Sequence, residues 1–184
     1  VKMSTSAELK QRDNQFIHPW DDFVKIGEHK RTLLSKGDGV YVHDSEGNRL
    51  LDAPAGMWCV NIGHGREEMA QAVYDQIMAL TYVSPWSMTT GPAAEFAAML
   101  AERSPGDLNH VFFTTGGSTA VDSALRFVQF YNNMRGLPAK KHIIAQKRGY
   151  HGSTYLAGSV SGKERDKSNL DVVEGMVHHI DAPH

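Results

Sequence analysis

Apolar residues recur at intervals of three and four in three stretches of the chain, which predicts three amphipathic helices. The first helix has the acidic pair Glu67 and Glu68 in its first turn, where acids are favoured. The second starts at Pro92 and ends near Arg103, and the third runs from Ser118 to about Met134. The apolar positions are Met69, Val73, Ile77 and Leu80 in the first helix, Phe96, Met99 and Leu100 in the second, and Ala120, Ala124, Phe127, Val128 and Tyr131 in the third.

Short apolar runs between polar turns predict strands. Residues 40–44 and 48–52 flank a Ser-Glu-Gly turn and form a predicted hairpin. Further strands are predicted at 111–114, 142–146 and 177–180, and the polar stretch 161–170 is predicted to be a loop. Since helices and strands alternate from residue 67 onward, the chain is expected to be an α/β protein. Its sheet is expected to be mostly parallel, with crossover helices.

Composition narrows the functional classes without naming one. Hydrophobic residues make up 41% of the 184 residues and charged residues 22%, which is ordinary for a globular protein. A formal net charge of −2 gives no indication of a nucleic-acid partner. No apolar run is long enough to span a membrane, and Cys59 is the chain's one cysteine. A reducing, cytoplasmic location is therefore expected. No metal site is expected either, because the adjacent His178 and His179 would face opposite sides of a strand.

The predicted strand at 111–114 runs into the third helix through Gly116, Gly117 and Ser118. A strand that feeds a helix through such a turn brings free N–H groups, a hydroxyl and the positive helix end together. That combination suits a phosphate group. The simpler alternative is that the glycines only permit the turn and that Ser118 caps the helix.

A second glycine-rich segment, Gly149-Tyr150-His151-Gly152, follows the next predicted strand. The glycines would let the backbone carry the Tyr150 ring close to a ligand. Tyr150 is therefore a candidate stacking platform, although it could also be an ordinary surface aromatic. His151 could orient a ligand or satisfy a polar contact in the core. A phosphate site next to an aromatic platform suits a flat, phosphorylated cofactor.

These two motifs resemble those of the class III pyridoxal-phosphate aminotransferases, the group that includes the ω-transaminases. The similarity extends to residues 57–65, to His18-Pro19-Trp20 and to residues 149–162, and covers roughly residues 16–184. It implies the fold type I architecture, with residues 1–55 in the small domain and 56–184 in the first part of the large cofactor-binding domain. One position departs from the family pattern, because Thr119 stands where many relatives carry glutamate. Thr119 cannot supply that glutamate's charge.

The resemblance also implies roles for individual residues. Pyridoxal 5'-phosphate would be bound by Gly117, Ser118, Thr119, Tyr150 and His151. Three tryptophans would bind substrate, namely Trp20, Trp58 and Trp86, with Trp86 at the interface of a homodimer. Without the resemblance, core or interface packing would be the usual role of these tryptophans.

The implied reaction passes an amino group from an amine or ω-amino acid to a keto acid such as pyruvate. It needs a lysine that holds the cofactor as a Schiff base, which in the family lies downstream of the Tyr-His-Gly loop. No lysine of this chain matches it, so the catalytic residue is not assigned. These residues alone are expected to be inactive and to expose apolar surface that further strands would cover.

Two other functions fit the same residues less well. Ser118 between strand and helix loosely resembles the nucleophile of a serine hydrolase, with Asp171 and His179 as possible partners. No His-Gly-Gly oxyanion motif precedes it. The other alternative is a phosphate-binding segment without catalytic activity.

Overall fold

The computed structural model describes residues 4–28 and 30–183, and the chain divides into two compact units, residues 1–89 and residues 90–184. Each unit has its own small sheet, which makes the chain an α/β protein. The predicted division at residue 55 concerns the domains of a complete enzyme and stays a prediction.

The first unit is built around a three-stranded antiparallel sheet with strands in the order β1 (Leu34–Asp38), β2 (Tyr41–Asp44) and β3 (Arg49–Leu51). Strands β2 and β3 confirm the predicted hairpin, with Tyr41 opposite Leu51 and His43 opposite Arg49. Strand β1 was not predicted, because Leu-Ser-Lys-Gly-Asp lacks an alternating apolar pattern. The elements in chain order are α1 (Ser6–Arg12), two 3-10 turns (Asp13–Gln15 and Phe23–Lys25), β1 (Leu34–Asp38), β2 (Tyr41–Asp44), β3 (Arg49–Leu51), the single turn α2 (Ala55–Trp58) and α3 (Glu67–Ala79).

The second unit contains the parallel strand pair β4–β5, in which Ile143 lies opposite Val177 and Gln146 opposite Ile180. The elements in chain order are α4 (Gly91–Arg103), α5 (Gly117–Met134), β4 (Ile143–Gln146), α6 (Tyr155–Val160), α7 (Glu164–Lys167) and β5 (Val177–Ile180). Helices α3, α4 and α5 and strands β4 and β5 confirm the predictions from apolar spacing.

Two predictions in this unit were wrong. Residues 111–114 form no strand, and both Phe112 and Phe113 are exposed. A strand requires a neighbour for its backbone hydrogen bonds, and within the described residues β4 and β5 pair only with each other. The predicted loop 161–170 contains the short helix α7, and α6 was not predicted from its six residues.

Apolar surface is widely exposed. Phe127, one of the apolar positions of α5, is 67% exposed, and Val128 and Tyr131 are also exposed. The buried hydrophobic residues of the described chain are Ala145, Ala157 and Val160, all in the second unit on β4 and α6. This agrees with the expectation that these residues expose apolar faces. No described helix combines the length and apolarity needed to cross a membrane.

Candidate cofactor site

The first turn of α5 begins beside open space at Gly116 and Gly117. No side chain caps this turn, and Gly116 at its start accepts the N–H of Ala120 at 2.9 Å. The first N–H groups of a helix have no partner within the helix, so they are available to a ligand. A Cβ built on Gly116 or Gly117 would meet no atom within 4 Å. Gly116 has an extended backbone (φ 171°) that any residue adopts, so here the glycines contribute room for a ligand.

Ser118 joins this turn to the segment that carries Tyr150. Its hydroxyl oxygen accepts the backbone N–H of Ser153 at 3.1 Å. Gly152 lies against Ser118 with φ 135°, and a Cβ there would come within 2.6 Å of the Ser118 hydroxyl oxygen and 2.7 Å of its Cα. Only glycine allows this close approach together with this backbone angle. The structure therefore brings the two predicted motifs into contact.

Tyr150 and His151 lie at the start of the same segment. Tyr150 is 48% exposed as a residue, and its hydroxyl shares a 2.9 Å hydrogen bond with the Ser153 hydroxyl. The Lys163 ammonium lies 5.8 Å from the ring centroid. The His151 backbone N–H donates to the buried Ser161 hydroxyl at 2.9 Å. These hydrogen bonds tie the segment to Ser153 and Ser161, and the Tyr150 residue stays partly exposed.

Thr119 uses its side chain within its own helix. Its hydroxyl donates to the Gly116 carbonyl at 2.8 Å and lies 3.4 Å from the Thr115 hydroxyl. This leaves the backbone N–H of Thr119 as the group that can face an anion. An uncharged residue with an internally bonded hydroxyl does not repel a phosphate, so Thr119 is compatible with the predicted site.

The three candidate tryptophans lie in the first unit and are exposed. Trp58 is 76% exposed and ends the turn α2, in which Ala55, Gly56, Met57 and Trp58 have left-handed φ angles between 47° and 66°. Left-handed backbone costs roughly 1–2 kcal/mol for each non-glycine residue. Such strain persists only where surrounding contacts impose it, and it concentrates at functional sites. Trp20 also has a left-handed φ of 59°, and Trp86 is 94% exposed.

The contacts that hold the Trp58 turn centre on Asp52. One carboxylate oxygen lies 3.0 Å from Nε2 of His64, and the other accepts the Gly56 N–H at 3.2 Å. His64 also exchanges two backbone hydrogen bonds with Gly39, at 2.7 and 3.1 Å. The hydrogen bond from His64, then that from Gly56, lowers the pKa of Asp52 below its ordinary value, although burial opposes the shift. The turn is therefore fixed to the sheet by a residue pair that the sequence did not indicate.

The contacts give no support to a serine hydrolase. Nε2 of His179 lies 3.0 Å from the Val160 carbonyl, and Asp171 is exposed. Within the described residues the Ser118 hydroxyl bonds to the Ser153 backbone and to no histidine. The described residues also include no cluster of three or more potential metal ligands.

Asp122 was not predicted from the sequence as part of this site. A carboxylate oxygen of Asp122 accepts the Thr154 hydroxyl at 2.8 Å and the Ala157 N–H at 2.7 Å. Asp122 follows Ser118 by four positions, so both side chains lie on one face of α5. The spacing of Ser118 and Asp122 is the sequence feature that could have pointed to Asp122. It indicates a shared role only when segment 150–157 is known to contact this face of α5.

Comparison with known proteins finds similarity to aminotransferases over most of the chain. The family model for class III aminotransferases matches residues 24–184. The putrescine–pyruvate aminotransferase of Pseudomonas aeruginosa is 41% identical over 164 residues, which cover 88% of this chain and 36% of that protein.

Solved structures show the same relationship. An (S)-enantioselective ω-transaminase from Thermomicrobium roseum matches with a TM-score of 0.93 and 33% identity, over 100% of this chain and 41% of that one. A thermostable ω-transaminase, whose tryptophan-to-glycine variant was engineered for synthesis of bulky amines, matches with a TM-score of 0.91 and 31% identity, over 96% and 40%. The chain thus spans about two fifths of the length of such relatives, and it belongs to the class III aminotransferase family.

Proposed function

We propose that the protein is a pyridoxal-phosphate-dependent aminotransferase of the ω-transaminase group, with the fold type I architecture. It would transfer an amino group from an amine or ω-amino acid to a keto acid such as pyruvate. The observation that carries this proposal is the hydrogen bond between Ser118 and the Ser153 backbone, because it unites an uncapped helix N-terminus with an aromatic platform. Family membership supports the cofactor and the reaction class.

The residues present fit pyridoxal 5'-phosphate. The backbone N–H groups of Gly117, Ser118 and Thr119 would hold the phosphate in the open space beside the two glycines. The Ser118 oxygen already accepts a hydrogen bond from Ser153, so its proton can be donated to the phosphate. The Tyr150 ring would stack on the pyridine ring, and His151 would lie beside it. When bound, the cofactor supplies the electron sink for the reaction, and the protein supplies orientation and charge.

The proposed substrate contacts involve the tryptophans. Trp58 would form one wall of the amine pocket, with Trp20 as a second contact. The role of Trp58 is supported by the left-handed turn that Asp52 and His64 hold, because a fixed backbone fixes the Cβ from which the exposed indole projects. The tryptophan-to-glycine variant of a related ω-transaminase, engineered for bulky amines, agrees with a size-limiting tryptophan in this group.

The complete enzyme is proposed to act as a homodimer, with Trp86 at the subunit interface near the site. Trp86 is almost fully exposed in this unit, and an exposed tryptophan is typical of interfaces. Size-exclusion chromatography with light scattering on the complete enzyme should show twice the monomer mass. A fully active monomer would contradict this assignment. The cytoplasmic location stays a prediction.

The test of the reaction is a panel of diamines, ω-amino acids and arylalkyl amines offered to the complete protein with pyruvate. We expect alanine to form from at least one donor and to depend on added pyridoxal phosphate. Labelling of Ser118 by a fluorophosphonate, with no alanine formed, would favour the hydrolase. Tight cofactor binding without turnover of any amine or keto acid would favour a silent phosphate-binding protein.

A further inference from the structure

We propose that Asp122 is a positioning residue for the cofactor ring: its carboxylate holds the segment 150–157 against α5 and thereby fixes Tyr150. This inference rests on the proposed function, because it assigns a role to Asp122 at the same site. It adds a residue outside the proposed phosphate-binding residues 117–119, with hydrogen bonds to Thr154 and Ala157.

The first part of the geometry is a helix cap supplied from another helix. Ala157 is the third residue of α6, and its N–H needs an acceptor outside the helix. Such an N–H is ordinarily satisfied by the side chain at the helix start, but Thr154 makes no such bond. Asp122 provides the acceptor at 2.7 Å, and Ala157 itself is fully buried. The start of α6 is therefore fixed by a carboxylate on α5.

The second part is the Thr154 hydroxyl, which lies 2.8 Å from the Asp122 carboxylate and 3.3 Å from the Ser118 carbonyl. A hydroxyl has one proton, and the shorter contact is with a charged acceptor. The proton is therefore donated to Asp122, since hydrogen bonds to ionised groups are the stronger ones. Asp122 thus binds two consecutive parts of the segment, the end of its loop and the start of its helix.

The third part connects this anchor to the ring. Thr154 follows Ser153, whose N–H donates to the Ser118 hydroxyl and whose own hydroxyl bonds to the Tyr150 hydroxyl at 2.9 Å. If the anchor at Asp122 is lost, Ser153 is free to shift. A shift of Ser153 moves both the Tyr150 ring and the partner of Ser118. The expected consequence is a misplaced aromatic ring in a folded protein.

The experiment uses the complete enzyme and compares Asp122→Ala with Asp75→Ala, which removes a helical aspartate whose hydrogen bond is to Gln71 within α3. Pyridoxal phosphate affinity should fall about tenfold in Asp122→Ala, equivalent to about 1.4 kcal/mol. The circular dichroism band of the bound cofactor should shrink, because the ring is held less rigidly in its asymmetric site. The Asp75→Ala variant should match the parent in both measurements.

A double-mutant cycle distinguishes positioning from general stability. If Asp122 acts through the ring, Asp122→Ala should weaken cofactor binding by less than about threefold when Tyr150 is already alanine. A tenfold loss in both backgrounds would overturn the inference. If Asp122→Ala fails to fold, the test is a comparison of Thr154→Val, which lacks the hydroxyl, with Thr154→Ser, which keeps it. Valine should weaken the dichroism band and serine should preserve it, and equal bands in the two variants would overturn the inference.

The failure of this inference and that of the proposed function are separable. A parent protein that binds no pyridoxal phosphate would refute the proposed function and this inference with it. A parent that binds the cofactor normally, with Asp122→Ala unchanged in affinity and dichroism, would refute the role of Asp122 alone.

Discussion

The hydroxyl oxygen of Ser118 accepts a hydrogen bond from the backbone N–H of Ser153 at 3.1 Å. This bond joins two segments that lie 35 positions apart in the sequence. Because the oxygen is already an acceptor, its proton is directed elsewhere, and the open space above Gly116 and Gly117 is adjacent. Ser118 can therefore bind a phosphate and hold the aromatic segment at the same time.

Replacing Ser118 by alanine should lower the affinity for pyridoxal phosphate about tenfold or more, since a hydrogen bond to a charged group contributes roughly 1.5–3 kcal/mol. The measurement is cofactor titration followed by absorbance or fluorescence on the complete enzyme. Ser123→Ala, five residues further along α5, is the matched control and should bind like the parent. Unchanged affinity in Ser118→Ala would refute the phosphate assignment.

Gly152→Ala should weaken cofactor binding strongly, whereas Gly158→Ala should not. A Cβ at Gly152 would lie 2.6 Å from the Ser118 hydroxyl oxygen and 2.8 Å from the Ala157 Cβ, and its φ of 135° disfavours alanine. At Gly158 the nearest atom would be 4.0 Å away, and the position is inside α6. Alanine there should stabilise the protein by about 0.5–1 kcal/mol, as glycine does not favour helix interiors. Thermal unfolding and cofactor titration of both variants test this, and similar behaviour of the two would contradict the observed contact.

Tyr150→Phe should retain most of the cofactor affinity, while Tyr150→Ala should lose it. The ring provides stacking, which contributes roughly 0.5–1.5 kcal/mol beyond burial. The hydroxyl provides the bond to Ser153, which is exposed and therefore lies near the lower end of the roughly 0.5–1.5 kcal/mol that a neutral hydrogen bond contributes. Its loss in phenylalanine should cost about threefold at most. Cofactor titration of both variants checks the expectation. Equal losses would show that the hydroxyl, and not the ring, makes the important contact.

Trp58→Ala should shift substrate preference toward bulkier amines and leave cofactor affinity nearly unchanged. The indole is exposed on a fixed turn, so its removal enlarges the space beside the turn. The measurement is kcat/KM over a series of amines of increasing size. Cys59→Ala, at the next position, is the control and should keep the ranking of the parent. If Trp58→Ala ranks the amines as the parent does, Trp58 does not line the amine pocket, and packing is its role.

The hydrogen bond between Asp52 and His64 should make stability sensitive to acid. The pKa of Asp52 is lowered in the folded state, so the ionised carboxylate favours folding above its ordinary pKa of 3.8, and this contribution is lost as the pH falls through the lowered value. Asp52→Asn should therefore be less stable than the parent at pH 6, and the difference should shrink below pH 4. Denaturant midpoints of the complete protein between pH 6 and pH 3 measure it. A difference that does not change with pH would exclude the ionised carboxylate as the cause.

The apolar spacing and the glycine motifs determined much of this protein without a structure. The apolar spacing within residues 67–80, 92–103 and 118–134 predicted the three long helices, because this spacing reflects the helical repeat of each segment and needs no distant neighbour. The hairpin at Tyr41–Leu51 and the strands at 143–146 and 177–180 were likewise predicted from residues that are neighbours in the sequence. The glycines around residues 117–119 and 150–151 indicated a phosphate site beside an aromatic ring, and the cofactor roles of these residues came from the family resemblance. The family match agrees with that resemblance, and the roles stay a proposal.

Tertiary structure alone decided the remaining features, because they depend on which residues become neighbours. Phe112 and Phe113 have strand-like side chains, but a strand also needs a hydrogen-bonded neighbour, and the described residues provide none. In the sequence Asp122 does not differ from the other polar residues of α5. Only its hydrogen bonds with Thr154 and Ala157 distinguish it. His64 likewise acquires its role only from the chain path that returns it to Asp52. Contacts between residues distant in sequence leave no periodic pattern in either segment. The sequence therefore indicated the helices and the expected class of ligand. The contacts that fix the backbone around Tyr150 and Trp58 were visible only in the tertiary structure.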